Sequence, residues 1–128
     1  MKQPDRSRLL RARDFIWEYY SENITLDELA TVSGLSCFHL VRAFAAEFGM
    51  PPHAYLNQVR LAKAKRLITE GMPLAIVAVE VGFADQSHFT RHFLKTYGVT
   101  PADCAGKETK VLFNTSGRSG IPLAAITF

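Results

Sequence analysis

Cysteine is nearly absent: Cys37 and Cys104 are the two in a chain of 128 residues. Two thiols cannot build a disulfide scaffold, and neither belongs to the Cys-x-x-Cys spacing that holds zinc, so a reducing, cytoplasmic setting is expected. No eighteen uncharged apolar residues follow one another, and the charged start Met1-Lys2-Gln3-Pro4-Asp5-Arg6 leads into no apolar run. Neither a membrane span nor a signal peptide is expected. A glycine-rich phosphate loop is missing, as is a convergent set of titratable side chains, so an enzyme is not expected. With 48% hydrophobic and 21% charged residues the chain is too apolar to be mostly disordered. Its length allows one sizeable core or two small ones.

Charge of one sign is also missing from particular stretches. Residues 49–69 hold Arg60, Lys63, Lys65 and Arg66 with no acid, and residues 86–97 hold Arg91 and Lys95 with no acid. Residues 21–36 carry Glu22, Asp27 and Glu28 with no base. A net charge of +3 distributed in this way suits a protein that turns one face toward a polyanion; solvated helix faces are the alternative reading.

What is present reads as helix. Leu9, Ala12, Ile16 and Tyr19, with Phe15 beside them, make an apolar stripe over residues 5–20. Thr25-Leu26-Asp27-Glu28 has the capping-box pattern and predicts a short second helix from Leu26 to about Ser33. Gly34 ends it, Ser36 caps a third helix starting at Cys37, and Leu40, Phe44 and Phe48 form that helix's inner row. Two helices across so short a turn are a helix-turn-helix. Pro52 opens a long fourth helix whose core face holds Leu56, Val59, Ala62, Ala64, Leu67 and Ile68, with the basic residues mostly off that face, and Gly71 closes it.

The same organisation then recurs. Ala30-x-x-x-Gly34 returns as Ala78-x-x-x-Gly82, Leu40-x-Arg42-x-Phe44 as Phe89-x-Arg91-x-Phe93, and Gly49-x-x-Pro52 as Gly98-x-x-Pro101. The offset grows from 48 to 49 inside the turn, because Gly34 reaches its cap Ser36 in two steps and Gly82 reaches Asp85 in three. A small residue allows close helix crossing, the glycine frees the turn, and the paired apolar residues anchor the second helix from behind. The fold class expected is therefore all-α, two homeodomain-like three-helix units in tandem joined by a long connecting helix. The first helix-turn-helix subdomain spans 5–52, the connecting helix 53–70, the second subdomain 71–105, and an extension of unassigned structure 106–128.

Through Leu26 to Phe48, Ile76 to Phe93 and Tyr97-Gly98-Val99-Thr100-Pro101 the sequence resembles the DNA-binding region of the AraC/XylS family of bacterial transcriptional regulators. The resemblance covers roughly residues 5–104 and departs after the last proline, where Cys104 and Ala105 stand in place of an aromatic and a basic residue. It implies sequence-specific binding of double-stranded DNA, with the third and sixth helices in adjacent major-groove segments. It also implies a role in transcription regulation, as an activator or a repressor, with RNA polymerase as candidate protein partner, and often a further domain for ligand binding or dimerisation, through which the protein would oligomerise.

In the sixth helix Phe89, Phe93 and Tyr97 share the buried stripe, which leaves Gln86, Ser87, Thr90, Arg91 and Lys95 as the candidate DNA contacts. Gln pairs bidentately with adenine and Arg with guanine, while Thr offers a hydroxyl and a methyl. In the third helix the positions corresponding to the family's base readers are Phe38, Val41 and Arg42. Phe38 and Val41 would meet thymine methyls, or else pack on the fourth helix. His88 and His92 lie four apart, but no third ligand has a useful spacing, so no metal is expected, and DNA binding of this kind needs no cofactor. Cys37, at a helix start, is read as an inert small apolar residue. A protein-interaction module that keeps the fold without binding DNA is the competing reading, favoured by the apolar outer face of the third helix.

Overall fold

A computed structural model describes residues 2–106; residues 107–128 of the expected extension lie outside the described residues. Seven helices are present among the described residues: α1 (Lys2–Tyr19), α2 (Leu26–Ser33), α3 (Cys37–Phe48), α4 (Pro52–Thr69), α5 (Leu74–Glu80), α6 (Gln86–Tyr97) and α7 (Pro101–Gly106). No single helix among them is long and apolar enough to cross a membrane. The chain divides into two compact units whose boundary, between Val59 and Arg60, falls inside α4.

Side-chain caps define where the short helices begin. Thr25 Oγ1 accepts the Glu28 N–H at 3.1 Å while the Thr25 N–H donates to Glu28 Oε1 at 2.9 Å, which completes the capping box of α2. Ser36 Oγ accepts the His39 N–H at 3.1 Å and Asp85 Oδ1 accepts the His88 N–H at 2.8 Å, so α3 and α6 start at the expected residues. Pro52 takes the first position of α4, where its missing N–H removes no intrahelical bond.

The first unit packs α1 on α2 and α3, and α2 on α3. Leu9, Ala12, Ile16, Leu29, Leu40 and Phe44 are buried. Tyr19 is not: it ends α1 41% exposed, leaning on Phe15 with ring centroids 4.7 Å apart. Phe44, Phe48 and Tyr55 form an aromatic cluster with centroids 4.5 to 5.8 Å apart. The Trp17 indole N–H donates to the buried Tyr55 hydroxyl at 3.1 Å, giving the phenol a polar partner inside the core.

In the second unit α5 packs on α6 and α6 on α7. Leu61, Ala64 and Ile68 of α4 are buried, as are Val77, Ala78, Val81, Phe83, Phe89, Phe93, Tyr97 and Cys104. Lys65 is buried too, unlike the outward placement expected for most of the basic residues of this helix. Position 65 is four residues from Leu61 and therefore on the same row. Its aliphatic stem lies in the core, and the ammonium sits 4.6 Å from the centroid of the Tyr97 ring.

The repeated Ala-x-x-x-Gly is closed by the same backbone bond in both units. Leu35 N–H donates to Ala30 O at 3.2 Å, and Phe83 N–H donates to Ala78 O at 2.9 Å. Gly34 and Gly82 adopt φ of 78° and 107°, the left-handed region that a side chain strains. Both following residues, Leu35 and Phe83, are buried. Only then do the turns differ, by the exposed Ala84 that precedes Asp85.

Candidate nucleic-acid interface

In α6 the side chains divide as the wheel requires. Phe89, Phe93 and Tyr97 are buried, and their rings contact in sequence at 5.6 and 4.7 Å. Opposite them, Ser87, Arg91 and Lys95 form one row at intervals of four, all exposed. Gln86 is exposed as the first helical residue, whereas Thr90 is half-buried because it borders the apolar stripe. Leu94, which was not singled out in the sequence, is 45% exposed beside the Arg91 row. The outer face of α6 thus offers two cations, a hydroxyl, an amide and an apolar side chain.

In α3 the three expected readers part company. Phe38 is 73% exposed, and Arg42, one turn on, carries its guanidinium 5.4 Å from the Phe38 ring centroid. Val41 shares its row with Cys37 and Ala45, all half-buried. It lines an apolar pocket of about 280 Å³ together with Leu26, Leu29, Pro52 and Leu56. Packing toward α2 and the start of α4 is therefore what the structure gives Val41, while Phe38 and Arg42 hold the open face.

The charges around α3 are largely paired. His39 Nε2 stands 3.3 Å from Asp5 Oδ2, and Arg6 pairs with Glu47. The Cys37 Sγ–H donates to Asp27 Oδ1 at 3.2 Å, and this hydrogen bond to a carboxylate holds the thiol above its ordinary range. This contact favours the thiol over the thiolate. α3 is capped by a neutral hydroxyl and α6 by a carboxylate, so the α3 start is the more favourable of the two for a phosphate.

Two further placements in the second unit carry no local sequence signal. Arg60 carries its guanidinium 5.7 Å from the Phe83 ring centroid, and burial lowers its pKa from the ordinary value. His88 and His92 both lie against the same ring. No spacing rule connects residue 60 with residue 83, so nothing short of the tertiary fold could have joined them.

A family model for a helix-turn-helix domain matches residues 29–106. An uncharacterized HTH-type transcriptional regulator of Bacillus subtilis (strain 168), YbfI, is 39% identical over 75 residues, which is 59% of this chain and 27% of that protein. The C-terminal domain of AraT, a response regulator from Geobacillus stearothermophilus, superposes with a TM-score of 0.74 at 28% identity, covering 79% of this chain and 85% of that one. A probable AraC family transcriptional regulator from Rhodopseudomonas palustris CGA009 shares the fold, with a TM-score of 0.72 at 23% identity over 78% of this chain and 95% of that one. The chain spans less than half the length of the curated relatives it matches. With an all-helical architecture, a repeated helix-turn-helix and a family match over most of its described residues, the chain belongs to the AraC-type helix-turn-helix domain family.

Proposed function

We propose that this chain is the DNA-binding part of a bacterial transcription regulator, in which α3 and α6 each enter a major groove of double-stranded DNA. The observation that carries the reading is the outer face of α6, where Ser87, Arg91 and Lys95 stand exposed in one row behind a fully apolar inner stripe. Arg91 reads a guanine edge, Gln86, Ser87 and Thr90 supply hydrogen bonds to bases or phosphate, and Lys95 anchors the backbone. Under α3, Arg42 and Phe38 do the reading, and Val41 supports them from the side. Binding takes no cofactor and involves no catalysis, and its place is the bacterial cytoplasm. Activation through RNA polymerase belongs to the same reading, and the exposed Ile76 and Val79 of α5 offer it an apolar surface.

Selection from a random duplex pool, followed by affinity measurement against salt, tests the proposal. The expected result is one enriched motif, with log affinity falling linearly against log salt as counterions are released. A second reading, a protein-interaction module without DNA binding, is favoured by the 73% exposure of Phe38. Enrichment of no motif, with equally weak binding to all duplexes, decides for it.

A further inference from the structure

His88 and His92 stand one turn apart on α6, and one aromatic ring touches both. The Phe83 centroid lies 5.6 Å from each imidazole, edge-on to His88 with 86° between planes and stacked on His92 with 30°. The two imidazoles meet at 78°, and their Nε2 atoms are 3.1 Å apart. At that distance one proton is shared: one ring donates it and the other accepts.

The same separation has a second meaning. Two nitrogens bound to one first-row metal at about 2.0 to 2.1 Å, at an angle of about 90 to 110°, stand about 2.8 to 3.4 Å apart. An unrestrained pair of histidines loses rotamer freedom when it closes on an ion. Here Phe83, buried and fixed by the turn before α6, already holds both rings in the closed arrangement.

We infer that His88 and His92 form a two-imidazole chelate for a divalent copper ion, with water in its remaining positions. In binding, the lone pair of each Nε2 bonds to the metal and the proton between the rings is transferred, by way of solvent, to the donor ring's own Nδ1, so both imidazoles bind neutral and no proton is lost overall. The described residues hold no group of three or more His, Cys, Asp and Glu that would enclose an ion, so the site is open. Arg60, whose guanidinium lies 5.7 Å from the centroid of the same Phe83 ring, places a positive charge nearby and works against any cation. Both features select the ion that binds imidazole most strongly among the first-row divalent metals, Cu(II) over Ni(II) and Zn(II), and the one that accepts a tetragonal site with bound water. The inference does not depend on DNA binding.

The test uses the whole chain without DNA, titrated with Cu(II) in a non-coordinating buffer and followed by electron paramagnetic resonance. One equivalent should bind with the electron-spin-echo modulation of two imidazoles. His88→Gln and His92→Gln should each weaken binding tenfold or more and leave one imidazole, whereas His39→Gln and His53→Gln should change neither. A single-imidazole signal in the unsubstituted chain overturns the inference, as does undiminished binding in His92→Gln. The first of these readings needs no variant, so it stands even where a substitution impairs folding.

Discussion

The Arg42 guanidinium lies 5.4 Å from the centroid of the Phe38 ring, on the exposed side of α3. Phe38 is therefore more than an apolar surface waiting for thymine: it holds the one permanent cation on that face of the helix. An exposed cation–π contact contributes about 0.5 to 1 kcal/mol. Phe38→Ala should lower affinity for the selected DNA by about two- to fivefold on that scale, with a melting temperature close to the parent's. Unchanged affinity would separate Phe38 from the reading face.

Thymine methyls give a second measurement at α3. Because Val41 is turned into the pocket formed with Leu29 and Leu56, Phe38 is the apolar side chain left to meet a base. Replacing thymine by uracil under α3 should weaken binding by the parent and leave Phe38→Ala indifferent, while Val41→Ala should lower stability and keep the parent's response to uracil. A Val41→Ala protein that no longer distinguishes uracil from thymine would return Val41 to the base-reading set.

For α6, Arg91→Ala should cost about 1 to 3 kcal/mol at the selected site and relax preference at a single base position. Lys95→Ala should weaken binding to all duplexes alike and reduce the salt slope by about one. Both variants are compared on the selected sequence and on a scrambled one. Equal losses on the two duplexes for Arg91→Ala would make it a phosphate anchor.

The caps are expected to act on stability. Asp85→Ala removes the acceptor of the His88 N–H and should destabilise the second unit by about 1 kcal/mol, with Asp85→Asn recovering most of the loss. Denaturant unfolding of the two variants against the parent measures this. If Asp85→Ala matches the parent in midpoint, water or another group satisfies that N–H equally well.

Alkali should loosen the second unit through Tyr97. Burial pushes its phenol up to about 12 from an ordinary 10.0. Between these values the unfolded chain gives up the proton and the folded chain keeps it, so stability falls as pH rises from 10 toward 12. Burial also raises the Cys104 thiol above 9.0, which acts in the same direction. Lys65, lowered from 10.5 by burial, acts in the opposite one. Tyr97→Phe removes the tyrosine part alone, so its alkaline loss should be smaller by at most about 2 to 3 kcal/mol. Parallel melting curves for parent and variant from pH 8 to 12 would show that the phenol is not the group responsible.

Local rules made most of the helix boundaries legible. The box at Thr25 and Glu28, the caps Ser36 and Asp85 and the closing glycines act through atoms within a few residues of each other, so sequence spacing is enough to find them. The buried and exposed rows of α6 follow for the same reason. Val41 was open to two readings because a wheel fixes its direction on α3 but not what α2 and α4 put there. Lys65 is the exception that its charge conceals: the row it shares with Leu61 and the ring of Tyr97 outweigh the preference of an ammonium for water. The 3.1 Å between His88 and His92 depends on Phe83, and spacing alone conveys only that they are four residues apart.

The unequal turns bear on how the two units can be re-engineered. Up to Leu35 and Phe83 they share a left-handed glycine and the same bond back to the alanine carbonyl. The extra Ala84 then delays the second cap by one residue. A graft of reading residues between α3 and α6 that is aligned on the glycines would displace each donor side chain by about 100° around its new helix, taking Arg42 to the half-buried position of Thr90 and Arg91 to that of Ala43. Aligned on Ser36 and Asp85, Arg42 falls on Arg91 and the graft keeps its register.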